Sequence, residues 1–184
     1  MRIIGGIHGG RKFHPPAKLP NTRPTTDVAK EGLFNTLQHL IDFEGLKSLD
    51  IFGGTGSISY ELASRGAADL TLVERDRNVL AFIRKTVQEL GFKHFNVIAQ
   101  EVFQFLKQCH EQYDFIFAGP PYALQEIDML PDIITQQKLL KPEGIFVLEH
   151  TPRNNYEQHP HFLKLKRYGT TLFSFFGAEA KTAG

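Results

Sequence analysis

Gly119-Pro120-Pro121-Tyr122 follows directly on the apolar run Phe115-Ile116-Phe117-Ala118. A Pro-Pro pair cannot continue a strand, because proline has no N–H to give to a ladder and its φ is fixed. The pair stops strand pairing, leaves the carbonyls of residues 119 and 120 for other partners, and holds Tyr122 on a stiff loop. Such carbonyls beside an aromatic face suit a flat ring with an exocyclic amine: the amine donates and the ring stacks. Gly119, Pro120, Pro121 and Tyr122 are therefore the candidate catalytic loop.

A second cluster stands upstream, where Asp50-Ile51-Phe52-Gly53-Gly54-Thr55-Gly56 joins an apolar run to a helix-like segment. Glycines at a strand-to-helix turn let a ligand approach the backbone closely. Glu74, followed by Arg75, ends the next apolar run, where an acid can accept both hydroxyls of an adenosine ribose. NAD and S-adenosylmethionine would both use this arrangement. The spacing Gly54-x-Gly56-x-x-Ser59 also comes near the dinucleotide fingerprint, so the glycines alone do not choose between them.

Two features favour the methyl donor. Asp50 precedes the glycines, where it can hold an ammonium group and would repel a pyrophosphate. Hydride transfer has no use for the Pro-Pro-Tyr loop. The absence of Gly-Lys-Ser/Thr argues against phosphoryl transfer. Glu101 follows a third apolar run; it can accept from an adenine amine while the Val102 N–H donates to a ring nitrogen. An acid at a helix start is also favoured by the helix dipole alone, and both readings stay open.

These residues need a frame. Apolar runs at 48–52, 70–73, 96–99, 115–118 and 145–148 alternate with helix-like segments at 57–65, 78–90, 102–109 and 125–140. Strand and helix in turn predict a doubly wound, mostly parallel α/β sheet with helices on both faces. Segments 162–167 and 170–176 flank Tyr168-Gly169 and read as an antiparallel C-terminal hairpin, which gives seven strands in all. Leu33, Phe34, Leu37, Leu40 and Ile41 share one face of a helix that begins near Asp27, capped by Thr25 or Thr26. Gly5-Gly6 and Gly9-Gly10 permit an N-terminal β-hairpin, and four prolines between 15 and 24 read as an extended connector. The expected division is residues 1–25 as arm and connector and 26–184 as the catalytic domain.

The chain has 184 residues, 41% of them hydrophobic, and a net charge of +1, which fits one globular domain without a global field. The charge is uneven: residues 1–26 hold Arg2, Arg11, Lys12, Lys18 and Arg23 and no acid. A basic arm on a near-neutral body suits a phosphate backbone, although a solvated tail looks the same. One cysteine, Cys109, excludes an internal disulfide. The opening residues lack a signal-peptide core and no stretch reaches the length of a membrane span, so a cytoplasmic protein is expected. The histidines show no metal-ligand spacing, and no metal is expected.

With these pieces in place the chain resembles the bacterial 16S ribosomal RNA guanine-N2 methyltransferases over nearly its whole length. The likeness rests on Met1-Arg2-Ile3-Ile4-Gly5-Gly6, Thr22-Arg23-Pro24-Thr25, Asp50-Ile51-Phe52-x-Gly54-Thr55-Gly56, Ser64-Arg65-Gly66-Ala67, Val73-Glu74-x-Asp76, Pro120-Pro121-Tyr122, Leu148-Glu149-His150 and Arg167-Tyr168-Gly169. It implies a class I, Rossmann-like methyltransferase that moves a methyl group from S-adenosylmethionine to a guanine N2 in small-subunit RNA. Asp50 and residues 52–56 would hold the methionine end, Glu74 the ribose, and Glu101 and Val102 the adenine, with Arg75 also at the donor. Tyr122 would stack on a flipped base, and Arg2, Arg11, Lys12, Arg23 and Thr25 would meet the RNA. Three positions depart from the family: Gly53 is usually Ala, Glu101 is usually Asp, and Gly119 replaces an Asp or Asn that would accept from the target amine. An adenine-N6 or other amine methyltransferase, and a catalytically impaired RNA-binding homologue, are the alternatives.

Overall fold

The computed structural model describes residues 1–17, 19 and 24–182. Lys18 and Arg23 lie outside the described residues. Helix α1 (Asp27–Leu37) starts at Thr26, whose Oγ1 accepts the Ala29 N–H at 3.2 Å. A cap of this kind stabilises a helix by about 1 kcal/mol. The helix stops at Leu37, so Leu40 and Ile41 do not extend its face as the periodicity predicts. Their N–H groups both bond the Leu37 carbonyl in the turn that follows.

The strands and helices then alternate as β1 (Lys47–Ile51), α2 (Ser57–Ser64), β2 (Asp69–Glu74), α3 (Arg77–Leu90), β3 (Phe95–Ala99), α4 (Val102–Gln108) and β4 (Tyr113–Ala118). After β4 the single helix expected over 125–140 is broken up. A 3-10 turn (Gln125–Asp128) leads into α5 (Met129–Gln136), and β5 (Leu140–His150) begins soon after. Pro131 sits in the first turn of α5, where its missing N–H costs no helical bond. Lys138, at φ 55°, turns the chain into β5. The hairpin of β6 (Phe162–Tyr168) and β7 (Thr171–Gly177) completes the chain order.

The sheet order is β3-β2-β1-β4-β5-β7-β6. The first five strands are parallel, and β7 runs antiparallel to both of its neighbours. The last strand is therefore interior and β6 forms the edge. This explains why every residue of β7 is buried while β6 alternates. Side chains along β4 divide between the two faces: Ile116 and Ala118 pack with α4 and α5, Phe115 and Phe117 with α1 and α2. The strand order reverses between β1 and β4, and in open α/β sheets the crevice at the carboxyl ends beside that point is where ligands bind.

The N-terminal arm folds back as a short hairpin through an antiparallel bridge between Arg2 and Lys12. Its Ile3 and Phe13 side chains pack on Tyr60 and Leu90. All eight residues of α2 are buried, because the sheet covers one side of the helix and the arm covers another. Among the described residues no helix is long and apolar enough to cross a membrane.

Candidate active site

A cleft of about 810 Å³ opens at the carboxyl ends of β1, β2 and β4. That is within the roughly 300–1,000 Å³ of small-molecule sites. The glycine loop forms its floor. Phe52 leaves β1 at φ 59°, a left-handed conformation that is costly for an aromatic residue. Gly53 has no room for a side chain, since a Cβ there would lie 2.4 Å from Leu72 Cγ. Gly56 has φ 87° at the start of α2, and a Cβ on it would lie 2.4 Å from Tyr60 Cζ. Gly56 thus shapes the turn and does not line the cleft, whereas Phe52, Gly53, Gly54 and Thr55 do. Thr55 Oγ1 donates to Met1 Sδ at 3.1 Å, which ties the arm to this loop.

Asp50 is 2% exposed and still borders the cleft. Ser59 Oγ donates to its Oδ2 at 2.7 Å. Burial pushes its carboxyl up to about 8; the Ser59 bond opposes this and the Glu74 charge adds to it. A buried acid in this state is ready to exchange its proton for a cationic ligand.

Glu74 is held by three backbone donors. Arg75 and Asp76 give N–H to Oε1 at 2.8 and 3.1 Å, and Gly54 gives N–H to Oε2 at 3.1 Å. These bonds fix the carboxylate at the end of β2 and join it to the glycine loop. Glu101 caps α4, accepting the Phe103 and Gln104 N–H groups at 3.0 and 2.9 Å. Arg75, Glu101, Val102 and Phe103 all border the cleft. The Phe52 and Phe103 rings meet edge to face with centroids 6.3 Å apart.

The Pro-Pro loop enters from β4. Gly119 and Pro121 border the same cleft as Asp50 and Glu74, while Pro120 is buried outside its lining. The Pro121 carbonyl accepts the Leu124 N–H at 3.0 Å, which closes a turn. Tyr122 is 41% exposed and is not part of the lining.

Arg2, Arg11 and Lys12 are exposed on the arm, and Arg2 Nε lies 3.1 Å from Asp27 Oδ2. Thr25 sits elsewhere, in the cleft, where its hydroxyl donates to Glu149 Oε1 at 2.6 Å. Glu149 stands in the Leu148-Glu149-His150 likeness, but no site role was expected of it. It is 2% exposed and borders the cleft at the end of β5. Its signal in the sequence is the one that marks Glu74: an acid at the end of a buried strand. Phe103, Phe117 and Leu124 also border the cleft and carry no motif.

Known proteins share this architecture. Residues 1–177 match the family described as Conserved hypothetical protein 95. The chain is 32% identical over 184 residues to the Ribosomal RNA small subunit methyltransferase D of Escherichia coli K12, covering 98% of this chain and 91% of that one. The Haemophilus influenzae protein of the same name is 34% identical over 153 residues, covering 81% and 78%. A solved structure of a hypothetical protein from Thermus thermophilus superimposes with a TM-score of 0.84 at 26% identity, covering 96% of this chain and 99% of that one. The T. thermophilus 16S rRNA N2 G1207 methyltransferase, solved with AdoMet and guanosine, superimposes with a TM-score of 0.67 at 22% identity. It covers 84% of this chain and 44% of that one, and it shows the fold alone. The chain belongs to the Conserved hypothetical protein 95 family, and it is a methyltransferase on the class I, Rossmann-like fold.

Proposed function

We propose that this enzyme transfers a methyl group from S-adenosylmethionine to the exocyclic N2 amine of a guanine in 16S ribosomal RNA of the small subunit. The observation that carries the reading is the meeting of Gly119 and Pro121 with Asp50 and Glu74 in one cleft. A donor pocket and an amine-accepting loop then share a wall. The names of the curated relatives support RNA as the substrate class.

The residues present fit the donor. Asp50 would offer its buried carboxyl to the ammonium, the Gly53-Gly54 backbone would allow close approach, Glu74 would hold the ribose, and Glu101, Val102 and Phe103 would hold the adenine. Bound S-adenosylmethionine supplies a methyl carbon made electrophilic by the sulfonium. The chain's own part is mainly positioning. Pro120 and Pro121 stiffen the loop that receives the target base, Tyr122 stacks on that base, and Phe52 and Phe103 keep water from the donor's ring. Residues 1–25 are the basic hairpin and connector, and 26–184 the catalytic domain. Arg2, Arg11 and Lys12 of the hairpin meet phosphates, which position the substrate without choosing the base. The substrate places the enzyme in the cytoplasm, where small subunits assemble.

Gly119 favours a second reading, an RNA-binding homologue with weakened chemistry, because the carboxylate or amide of the family's loop is missing at this position. One assay separates the two: labelled S-adenosylmethionine with small subunits lacking the modification, the labelled nucleoside then identified by mass. The expected product is N2-methylguanosine. Label on an adenine N6 would overturn the guanine assignment, and donor binding without any transfer would favour the impaired homologue.

A further inference from the structure

We infer that Glu149 supplies the amine-accepting carboxylate that the loop lacks at Gly119. The inference rests on the amine methyl transfer proposed above. Strands β4 and β5 are parallel with Ala118 opposite Leu148, so Gly119 and Glu149 are the next residues at the two strand ends. A Cβ placed on Gly119 would lie 3.1 Å from Phe117 Cε1, so any side chain there would point to the face that Phe117 occupies. Phe117 and Val147 pack on that same face, and Glu149, two residues beyond Val147, projects to it as well. The space that a side chain at 119 would enter is therefore reached from the neighbouring strand by a carboxylate one methylene longer.

The other carboxylates of the cleft are committed to the donor end or to helix starts. Asp50 is buried against Ser59, Glu74 accepts three backbone donors, and Asp76 and Glu101 cap α3 and α4. Glu126 is exposed on the 3-10 turn. Glu149 is buried at the cleft wall and oriented by the Thr25 hydroxyl at 2.6 Å. A carboxylate has about four lone-pair sites, so protein donors and a substrate amine can share it.

In the step this implies, Glu149 accepts one N–H of the target amine, which aims the nitrogen lone pair at the methyl carbon. The N–C bond forms as the C–S bond breaks, and the electron pair of that bond stays on sulfur. The nitrogen becomes cationic and gives its surplus proton to the Glu149 carboxylate, which later passes it to water.

The test is single-turnover transfer to small subunits with the wild type, Glu149→Gln, and Glu149→Gln combined with Gly119→Asp. Glutamine retains an acceptor for Thr25 but cannot take a proton. Its expected rate is about 10²-fold below wild type, in the range of a lost general base, with donor and RNA affinities unchanged within about twofold. Gly119→Asp in the same chain is expected to restore most of that loss, which a purely structural role for Glu149 would not allow. If Glu149→Gln does not fold, Thr25→Val reads the same contact: a fall of about tenfold in rate, spared by Thr25→Ser, is expected from the loss of one orienting bond. A wild-type rate in Glu149→Gln, or a loss found in Glu126→Gln instead, overturns the inference and leaves the proposed function standing. A wild type that binds donor and transfers nothing overturns it too, since the carboxylate then fails as a replacement; Gly119→Asp decides the proposed function separately.

Discussion

The Lys30 ammonium of α1 lies 3.5 Å from the Glu61 carboxylate of α2, with both side chains buried. Glu61 also accepts the N–H groups of Ile4 and Gly5 at 2.8 Å each and pairs with Arg65 Nε at 2.9 Å. Lys30 donates in turn to Ser57 Oγ at 3.0 Å and to the Arg2 carbonyl. One acid thus anchors the arm, α1 and α2 together. Desolvation lowers the Lys30 pKa, and the Glu61 charge opposes that shift. Removing one partner of such a pair strands the other charge.

Glu61→Ala is therefore expected to destabilise the fold by about 3–5 kcal/mol. Urea unfolding checks the magnitude. Limited proteolysis should find new cleavage within residues 1–13, because the two backbone donors that fasten the arm lose their acceptor. A change below about 1 kcal/mol would contradict this account of the anchor.

Gly53→Ala is expected to harm this chain. The new methyl group would meet the buried Leu72 at 2.4 Å. Overpacking of this kind costs about 1–3 kcal/mol. Leu72→Ala in the same chain should recover part of the loss. Stability curves for the two single variants and the double variant measure the coupling.

Donor affinity should rise with pH up to about 8, the value to which burial pushes Asp50. Below that pH the carboxyl is protonated and must release its proton before it can face an ammonium group, so affinity falls about tenfold per pH unit. Titration calorimetry near pH 7 in buffers of different ionisation enthalpy should show about one proton released on binding. The same linkage governs stability. With the folded pKa raised, Asp50's favourable contribution is fully present below its unfolded value and is lost as pH rises through about 8. Asp50→Asn should consequently be more stable than wild type above pH 8, and unable to bind donor tightly at any pH.

Arg11→Ala with Lys12→Ala should weaken RNA binding and lower the magnitude of its salt slope by about two, one for each phosphate that goes unneutralised. Donor binding should not change, because both residues are exposed on the arm and outside the cleft lining. Equal loss of both affinities in a folded variant would remove the arm from RNA recognition.

The sheet was legible where a strand's own residues decide its place. Residues 115–118 of β4 are apolar because both faces of the strand are covered there, and Asp50 and Glu74 stand out as acids at the ends of such runs. What the sequence concealed depends on distant pairings. The placement of β7 between β5 and β6 follows from packing both of its faces, and the local hairpin pattern does not contain it. Glu149 reaches the cleft only through the register of β5 on β4. Glu61 looks like an ordinary helix acid until the arm lies over it. The outward setting of Tyr122 accompanies a turn that closes two residues later, at Leu124.

The interior position of β7 has a consequence for synthesis. A nascent chain whose β1 through β6 have left the ribosome still carries an open β5 edge, because the strand that covers it follows β6 in the chain. Strand β6 cannot pair with β5 in its place without displacing β7 from its interior position. Unpaired edges invite pairing with other chains. A chain truncated after Gly169 should therefore be sticky and chaperone-dependent, and a peptide of residues 170–177 added to it should extinguish that behaviour.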